Sequence, residues 1–170
     1  MELIGQIIGF IAIIFGFFIF IQKERKNVLL FKLITDFIWI AHFYLIGAYP
    51  TMATTLVAIF REVTFVKSDK YPFLKKKIIL IIFCCLFICA ALLTWKGPQS
   101  LLPAIASSLA TVAFFNKNIS RIRGISFIVS LLMLLNGIAF NSFANIVNEI
   151  ITMISIIIGT LRAKNIKNKG

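Results

Sequence analysis

Seven apolar stretches occupy most of the chain, and they constrain its fold more than any other feature of the sequence. Each approaches the roughly 20 residues that a helix needs to cross the ~30 Å hydrocarbon core of a bilayer. Hydrophobic residues make up 60% of the 170 residues, whereas soluble domains average about 45–50% apolar residues. We therefore predict an all-α integral membrane protein. Its seven transmembrane helices are predicted at residues 3–21, 28–47, 49–66, 78–95, 100–115, 124–140 and 143–161.

Basic residues separate these stretches and fall almost entirely on one side of the predicted bundle. The opposite side carries only Lys96, and Lys32 and Arg61 fall inside helices. By the positive-inside rule, the amino terminus is predicted outside and the carboxyl terminus in the cytoplasm. The net charge of +12 then comes from membrane-flanking anchors and not from a nucleic-acid-binding surface. The basic side contains Lys23, Arg25, Lys26, Lys67, Lys70, Lys75, Lys76, Lys77, Lys117, Arg121, Arg123, Arg162, Lys164, Lys167 and Lys169.

A shift of 94 residues places residues 3–67 on residues 97–161. Helix, basic loop, helix, neutral hairpin and helix then coincide with the same order, and His42 falls on Asn136. The pattern predicts one membrane domain, residues 1–170, made of two parallel three-helix repeats. Residues 1–67 and 97–162 form the repeats, and residues 78–95 form a linker helix that restores parallel orientation. Parallel repeats about the membrane normal are a known plan of transporters.

The run WIAHFYLIGAYP at residues 39–50, followed by Arg61, resembles bacterial inner-membrane proteins of the YgjV type. The sequence Leu101-Leu102-Pro103 at the start of the fifth helix carries the same resemblance. It implies a location in the bacterial inner (plasma) membrane and a relation to the SWEET, semiSWEET and PQ-loop (MtN3-like) transporters. One departure is that the Pro-Gln signature is missing from the cytoplasmic end of the first helix of each repeat, and Gly9 and Pro103 are the alternative hinge candidates.

Ionisable side chains at membrane depth are costly and are candidates for function. Asp36 lies near the middle of the second helix, one turn before Trp39, and suits a cation or proton site. Alternatively it forms a structural ion pair with Lys32, four residues earlier. Arg61 and Glu62 are neighbours and are expected to point in different directions. Arg61 either extends to the headgroups or, with Glu62, forms an inner gate with a carboxylate on another helix.

Polar residues recur at helical spacing on the seventh helix, where Asn148 and Glu149 lie on one stripe with Asn145, Thr152 and Ser155. Small polar residues often mark helix contacts, but Glu149 needs a proton, a partner or water. The shift of 94 residues places Asn148 and Glu149 on Thr54 and Thr55 of the third helix. We therefore predict a substrate-binding belt, and its residues are Asp36, Trp39, His42, Thr54, Thr55, Asn136, Asn148 and Glu149.

These features predict a transporter of a small polar solute, such as a sugar, that works by alternating access. A non-transporting accessory or sensor protein is the alternative, and it predicts a dry, fully packed interior. Because the sequence offers no recognisable nucleophile–base pair and no metal-ligand cluster, we predict no enzymatic activity and no cofactor. Cys84, Cys85 and Cys89 share one apolar run without nearby histidines and are expected to be inert thiols. The expected partners are the lipid bilayer and the solute, with homo-oligomerisation left open.

Overall fold

The computed structural model describes residues 2–19, 21–68, 70–116 and 118–167, and within these ranges the chain forms seven α-helices and no β-strand. Short 3₁₀ turns at Pro72–Lys75 and Pro98–Ser100 precede α4 and α5. The helices are α1 Glu2–Phe17, α2 Arg25–Leu45, α3 Tyr49–Lys67, α4 Lys77–Leu93, α5 Leu101–Phe115, α6 Ile119–Ala139 and α7 Phe143–Lys167.

Local capping accounts for the largest difference between a predicted and an observed helix start. Helix α6 begins at Ile119, five residues before the predicted start, because the side chain of Asn118 accepts hydrogen bonds from the amides of Ser120 and Arg121. An asparagine in this position satisfies amides that have no partner within the helix. At the other extremes, α1 ends at Phe17 rather than at residue 21, and α7 continues beyond residue 161.

Four helical segments are long and apolar enough to cross a membrane, at residues 26–45, 98–115, 119–139 and 143–163. Helices α1 and α4 are strongly apolar but have only 16 and 17 residues. At 1.5 Å per residue, such helices span about 24–26 Å. Helix α3 has 19 residues but carries Arg61 and Glu62.

Six helices surround a common centre, and α4 lies outside it. Helix α1 packs against α2 and α7, and α6 packs against α5 and α7. Helix α3 contacts α2 and α5, while α4 covers the outer side of α3 and α5. We call the end of the bundle that carries residues 18–19, 21–24, 70–76, 116 and 118 and the end of α7 the basic end. The neutral end carries residues 46–48, 94–100 and 140–142.

Part of the basic end cannot be described. Lys117 and Lys169, which support the predicted charge asymmetry, lie outside the described residues, and so do the side chains of Arg25, Lys75, Lys164 and Lys167.

The two neutral-end hairpins have the same backbone hydrogen bonds. Between α2 and α3, the Ala48 amide donates to the Phe43 carbonyl at 2.9 Å. Between α6 and α7, the Ser142 amide donates to the Gly137 carbonyl at 2.8 Å. The two donor residues are 94 positions apart in the sequence, and so are the two acceptor residues. The two turns therefore bend the chain in the same way although their sequences differ.

Two layers of apolar side chains pack at different levels along the bundle. The basic-end layer joins α1, α2, α3, α5, α6 and α7, and the neutral-end layer joins α1, α2 and α7 with the first hairpin. A third cluster fixes α4 to α3 and α5 through Phe83, Phe87 and small residues. The buried members of the basic-end layer are Ile19, Val28, Leu29, Phe65, Ala110, Phe114, Ile122 and Ile156. Those of the neutral-end layer are Ala12, Ile13, Trp39, Phe43, Ala48 and Ala144.

Candidate functional site

A cavity of about 120 Å³ lies between the two apolar layers. A water molecule needs about 10–15 Å³ measured in this way, so the space suits several waters or a small solute. Six helices contribute to its wall, and α4 does not. Its polar lining residues are Lys32, Thr35, Asp36, Thr54, Thr55, Arg61, Ser107, Ser126, Ser130, Asn145, Asn148, Glu149 and Thr152.

Sixteen of the 23 lining residues that the structure describes form pairs that are 94 positions apart. Eight such pairs line the same cavity, and each contributes one residue from the first half of the chain and one from the second. Helices α1, α2 and α3 face their counterparts α5, α6 and α7 across the space. The pairs are Gly16 with Ala110, Lys32 with Ser126, Thr35 with Val129, Asp36 with Ser130, Trp39 with Met133, Thr54 with Asn148, Thr55 with Glu149 and Ala58 with Thr152.

Most of the predicted belt lies on this wall. The cavity brings together Asp36, Trp39, Thr54, Thr55, Arg61, Asn148 and Glu149. His42, Asn136 and Glu62 lie outside the lining and are held by contacts between helices.

Four charged side chains form one network along α2 and α3. The Lys32 ammonium donates to both Asp36 carboxylate oxygens, at 2.8 and 3.0 Å, and lies 3.6 Å from Glu62 Oε1. The Arg61 guanidinium donates to the same Glu62 oxygen at 2.8 Å. The network contains two positive and two negative groups. The structural ion pair with Lys32, one of the two alternatives for Asp36, is thus present, and the same carboxylate also lines the cavity.

The expectation that Arg61 and Glu62 point apart is wrong. Their Cα–Cβ bonds diverge as helical neighbours do, but the long Arg61 side chain folds back to reach Glu62. Arg61 is only 1% exposed, so it does not extend to the headgroups. Its guanidinium also donates to the Ser107 carbonyl at 3.0 Å and the Thr111 hydroxyl at 3.3 Å. The arginine thus ties α3 to α5, and its carboxylate partner lies on its own helix.

Glu149 lies in different surroundings, on the cavity wall formed by α7. The Asn148 side-chain amide donates to its carboxyl group at 3.0 Å, and Ser130 of α6 lies near the same group. Both of these neighbours are uncharged. Glu149 is 7% exposed, so the rest of the bundle largely shields it from the surface.

His42 joins three parts of the fold instead of facing the cavity. Its Nδ1 lies 2.8 Å from the Gly5 carbonyl of α1, and its Nε2 lies 2.8 Å from the Ser142 hydroxyl before α7. Because a carbonyl only accepts, Nδ1 carries the proton, and Nε2 accepts from Ser142. A Cβ at Gly9 would lie 2.8 Å from the His42 ring and 2.5 Å from Ala144. Gly9 is therefore a close-packing position.

The same contact corrects a premise of the sequence analysis, which found no nucleophile–base pair. Ser142 and His42 do form a hydrogen-bonded hydroxyl–imidazole pair. The serine is 1% exposed and the histidine fully buried, and neither lines the cavity. The Ser142 oxygen also accepts from the Asn145 amide at 3.3 Å, as a helix cap does. The pair therefore fastens helices together.

Asn136, which corresponds to His42 under the shift of 94 residues, makes a similar contact between helices. It accepts from the Thr51 hydroxyl at 3.2 Å, and its amide donates back to the same oxygen at 3.1 Å. The contact joins α6 to the first turn of α3, as His42 joins α2 to the residue before α7. The neutral end thus has two polar contacts between helices, and their first members, His42 and Asn136, are 94 residues apart.

A family model of bacterial inner membrane proteins, Imp-YgjV, matches residues 3–167. The chain belongs to this family. No curated protein and no solved structure matches the chain. The family places this Imp-YgjV chain in the bacterial inner membrane, which agrees with its four helices of membrane-spanning length and composition.

Several cavity residues of this Imp-YgjV chain were missed as site residues. Lys32 was considered only as an ion-pair partner of Asp36, yet it lines the cavity beside that residue. Ser126 and Ser130 were not predicted as site residues, and both line the cavity. The 94-residue shift contained the missing signal, because it carries Lys32 and Asp36 onto these two serines.

Proposed function

We propose that the chain is a multi-pass transporter of a small polar solute that works by alternating access around the central cavity. The single observation that carries the proposal is the set of eight lining pairs at a constant separation of 94 residues. A cavity shared equally by two halves of a chain lies where those halves move against each other. Transporters built from repeats bind their substrates in such a place, near the bilayer midplane.

The proposed architecture is two parallel three-helix repeats, residues 1–67 and 97–162, joined by the linker helix at residues 78–95. Helices α2 and α6 support it, because both their first and last residues differ by 94 positions. The matching hairpin hydrogen bonds give further support. The position of α4 outside the ring of six helices is what a linker requires.

The two ends of the bundle supply the gates of the proposed mechanism. The neutral end is held by the His42–Ser142 and Thr51–Asn136 contacts. Towards the basic end, the cavity is bounded by the apolar layer and by Arg61, which with Glu62 is our candidate inner gate. A solute enters or leaves when one of these ends opens while the other remains closed.

For the topology, we propose an outer amino terminus and a cytoplasmic carboxyl terminus. Cysteine labelling tests this in a background where Cys84, Cys85 and Cys89 are alanine. Lys96→Cys at the neutral end is exposed and should react with an impermeant thiol reagent in intact cells. Lys70→Cys at the basic end is also exposed and should react only after permeabilisation. The opposite result would reverse the orientation.

A non-transporting accessory or sensor protein is the alternative function. It requires a packed interior, whereas a cavity with charged and amide side chains favours passage of a solute. The experiment that tests transport is uptake by proteoliposomes from a panel of sugars, amino acids and organic cations. Saturable uptake that needs the protein supports the proposal. Absence of uptake across the panel would favour the alternative.

A matched pair of variants separates cavity function from folding. Thr55→Phe fills the cavity, while Leu56→Phe adds a similar ring one residue later, where the native leucine is 48% exposed. We expect uptake to fall by about tenfold or more in the first variant, since obstructing a binding site by over 1.4 kcal/mol has this effect. Uptake should be nearly unchanged in the second. Equal uptake by both variants would show that the cavity is not on the transport path.

A further inference from the structure

The charged side chains around the cavity pair with one another, except for Glu149. Lys32 and Arg61 are the two cationic lining residues, and they pair with Asp36 and Glu62. These four groups sum to zero when all are ionised. Glu149 is then the one further carboxyl group of the cavity wall in the part of the chain that the structure describes.

The polar neighbours of Glu149 do not compensate its negative charge. Asn148, which donates to it, and the nearby Ser130 are both neutral. Among the described residues, Lys32 and Asp36 of α2 and Arg61 of α3 are the other charged lining groups. Helices α1, α5 and α6 contribute no titratable side chain to the described lining. Among the described residues, Glu149 therefore has no ion-pair partner within 4 Å, although the positive charge of Lys32 acts on it across the cavity.

An unpaired carboxylate in such surroundings is expensive. Burial of an ionised group without a partner costs several kcal/mol or more, so the group takes up a proton or meets a cation. The two solutions exclude each other on one carboxyl group. When the cavity is empty, Glu149 holds a proton, and a positively charged group that binds there displaces it.

Aromatic side chains on the same wall favour an organic cation. Trp39 and Phe43 both line the cavity, with ring centroids 5.3 Å apart and planes 20° from parallel. Aromatic faces attract ammonium groups through the ring quadrupole, and tryptophan does so most strongly. A carboxyl group together with these rings is a chemical surface that recognises an alkylammonium group rather than a neutral sugar.

We propose that the cavity binds a small organic ammonium ion and exchanges it for one proton on Glu149. This inference rests on the proposed transport function and names its substrate class. As the ammonium group binds, the Glu149 O–H bond breaks and the proton leaves; when the ammonium group departs, the carboxylate takes a proton back. One positive charge replaces another in each direction, so the exchange is electroneutral.

Binding to the full chain in detergent tests the exchange directly. Trp95→Phe leaves Trp39 as the single tryptophan reporter, and the probes are methylammonium, ethanolamine, choline and, as the neutral control, glucose. We expect an ammonium probe to change Trp39 fluorescence and to release about one proton per bound ion, and affinity to rise by about tenfold per pH unit while Glu149 is protonated. Binding without proton release, no binding of any ammonium probe, or binding of glucose alone would overturn the proposal.

Substitutions assign the proton to its residue. Glu149→Gln keeps the shape of the side chain and should abolish proton release and weaken ammonium binding by about tenfold or more. Glu149→Asp retains a carboxyl group and should retain proton release. The control Glu24→Gln removes an exposed carboxylate outside the cavity and should behave as the parent. Unchanged proton release in Glu149→Gln would assign the proton to another group and overturn the proposal.

Proteoliposomes separate this inference from the transport function itself. An inside-acid pH gradient should drive ammonium uptake, and the uptake should not respond to membrane potential because the exchange is electroneutral. Uptake of glucose without uptake of any ammonium probe would leave the transporter proposal standing and remove the exchange. Proton-linked ammonium binding without uptake of any solute would leave the exchange on Glu149 standing and remove the transporter proposal.

Discussion

The two halves of the chain place their helices alike but distribute their charges differently. Lys32 and Asp36 of α2 correspond to Ser126 and Ser130 of α6, while Glu149 of α7 corresponds to Thr55 of α3. Each half therefore contributes charge where the other contributes hydroxyl groups. Backbone hydrogen bonds and close packing set the shape of the cavity, and the unequal side chains set where its charges lie.

A similar contrast holds towards the basic end. Arg61 and Glu62 of α3 correspond to Ser155 and Ile156 of α7. The Arg61 guanidinium reaches Thr111 of α5, and the Ser155 hydroxyl donates to the Phe17 carbonyl of α1 at 3.0 Å. Phe17 and Thr111 are themselves 94 residues apart. The same helix contact is thus built once from a charged network and once from a single hydroxyl group.

The largest expected effect comes from Glu62→Gln. It leaves the guanidinium of Arg61 buried without its carboxylate, and breaking a buried ion pair from one side costs about 3–5 kcal/mol. The matched change Ile156→Val removes one methyl group at the corresponding position and costs about 0.5–1.5 kcal/mol. The measurement is the free energy of unfolding in mixed detergent micelles.

The double variant Arg61→Met with Glu62→Met serves as the control, because it replaces both members of the pair by apolar side chains. It should recover much of the lost stability, since replacing a whole buried pair by apolar groups is often nearly neutral. Equal losses in Glu62→Gln and Ile156→Val would show that the ion pair contributes nothing beyond packing.

The next effect concerns Arg61→Lys. Lysine keeps the charge but lacks the planar fork that reaches Ser107 and Glu62 together, so we expect a loss of about 1.5–3 kcal/mol for hydrogen bonds to a charged group. Ser155→Ala should cost only about 0.6 kcal/mol, typical of a hydrogen bond between membrane helices. Wild-type stability and transport in Arg61→Lys would contradict the buried position of the arginine.

The seven helices were predictable because apolar runs and basic loops reflect the solvent in which the chain folds. The start of α6 was not, because Arg121 and Arg123 suggested a loop. The structure includes both in the helix, and the Arg123 guanidinium donates to the Gln22 carbonyl at 3.3 Å. A charge pattern locates a membrane boundary, whereas a helix ends where its backbone groups find other partners.

The cavity residues were predictable only where the spacing of polar residues within one helix was enough to identify them. Asn148 and Glu149 belong to a polar stripe that spacing alone reveals, and both line the cavity. His42 and Asn136 turn away from the cavity because their partners, Ser142 before α7 and Thr51 in the first turn of α3, are 100 and 85 residues distant in the sequence. Their correspondence in sequence indicated equivalent places in the fold but not the direction of the side chains.

A smaller effect is expected from the neutral-end contact between Thr51 and Asn136. In a double-mutant cycle with Thr51→Val and Asn136→Leu, the coupling energy should be about 0.6–1.7 kcal/mol, the range measured between membrane helices.

A transport measurement tests the proposed gate at this contact more sharply. Thr51→Cys with Asn136→Cys, in a background without native cysteines, should lose uptake when a short thiol cross-linker joins the two residues and regain it on reduction. Full uptake in the cross-linked protein would show that this end does not open.

The smallest expected effect concerns the residues at the centres of the two hairpins, Gly47 and Asn141, which both have positive φ angles, +73° and +51°. Glycine adopts this conformation freely, and asparagine is among the few other residues that visit it. Gly47→Asn should therefore change stability by less than about 0.5 kcal/mol, and Asn141→Gly by a similarly small amount, because each copies the other turn.

The matched control is Gly47→Val, whose branched side chain should cost more than about 1 kcal/mol in the left-handed region. Steric clash with neighbouring atoms does not decide the outcome. The nearest atom to a Cβ at Gly47 is Lys96 Nζ at 3.8 Å, the end of a flexible side chain. That ammonium also donates to the Gly47 carbonyl at 2.7 Å, a contact that asparagine leaves available. If Gly47→Asn and Gly47→Val destabilise the protein equally, the two turns are not interchangeable, and the likeness of the two halves ends at their hairpins.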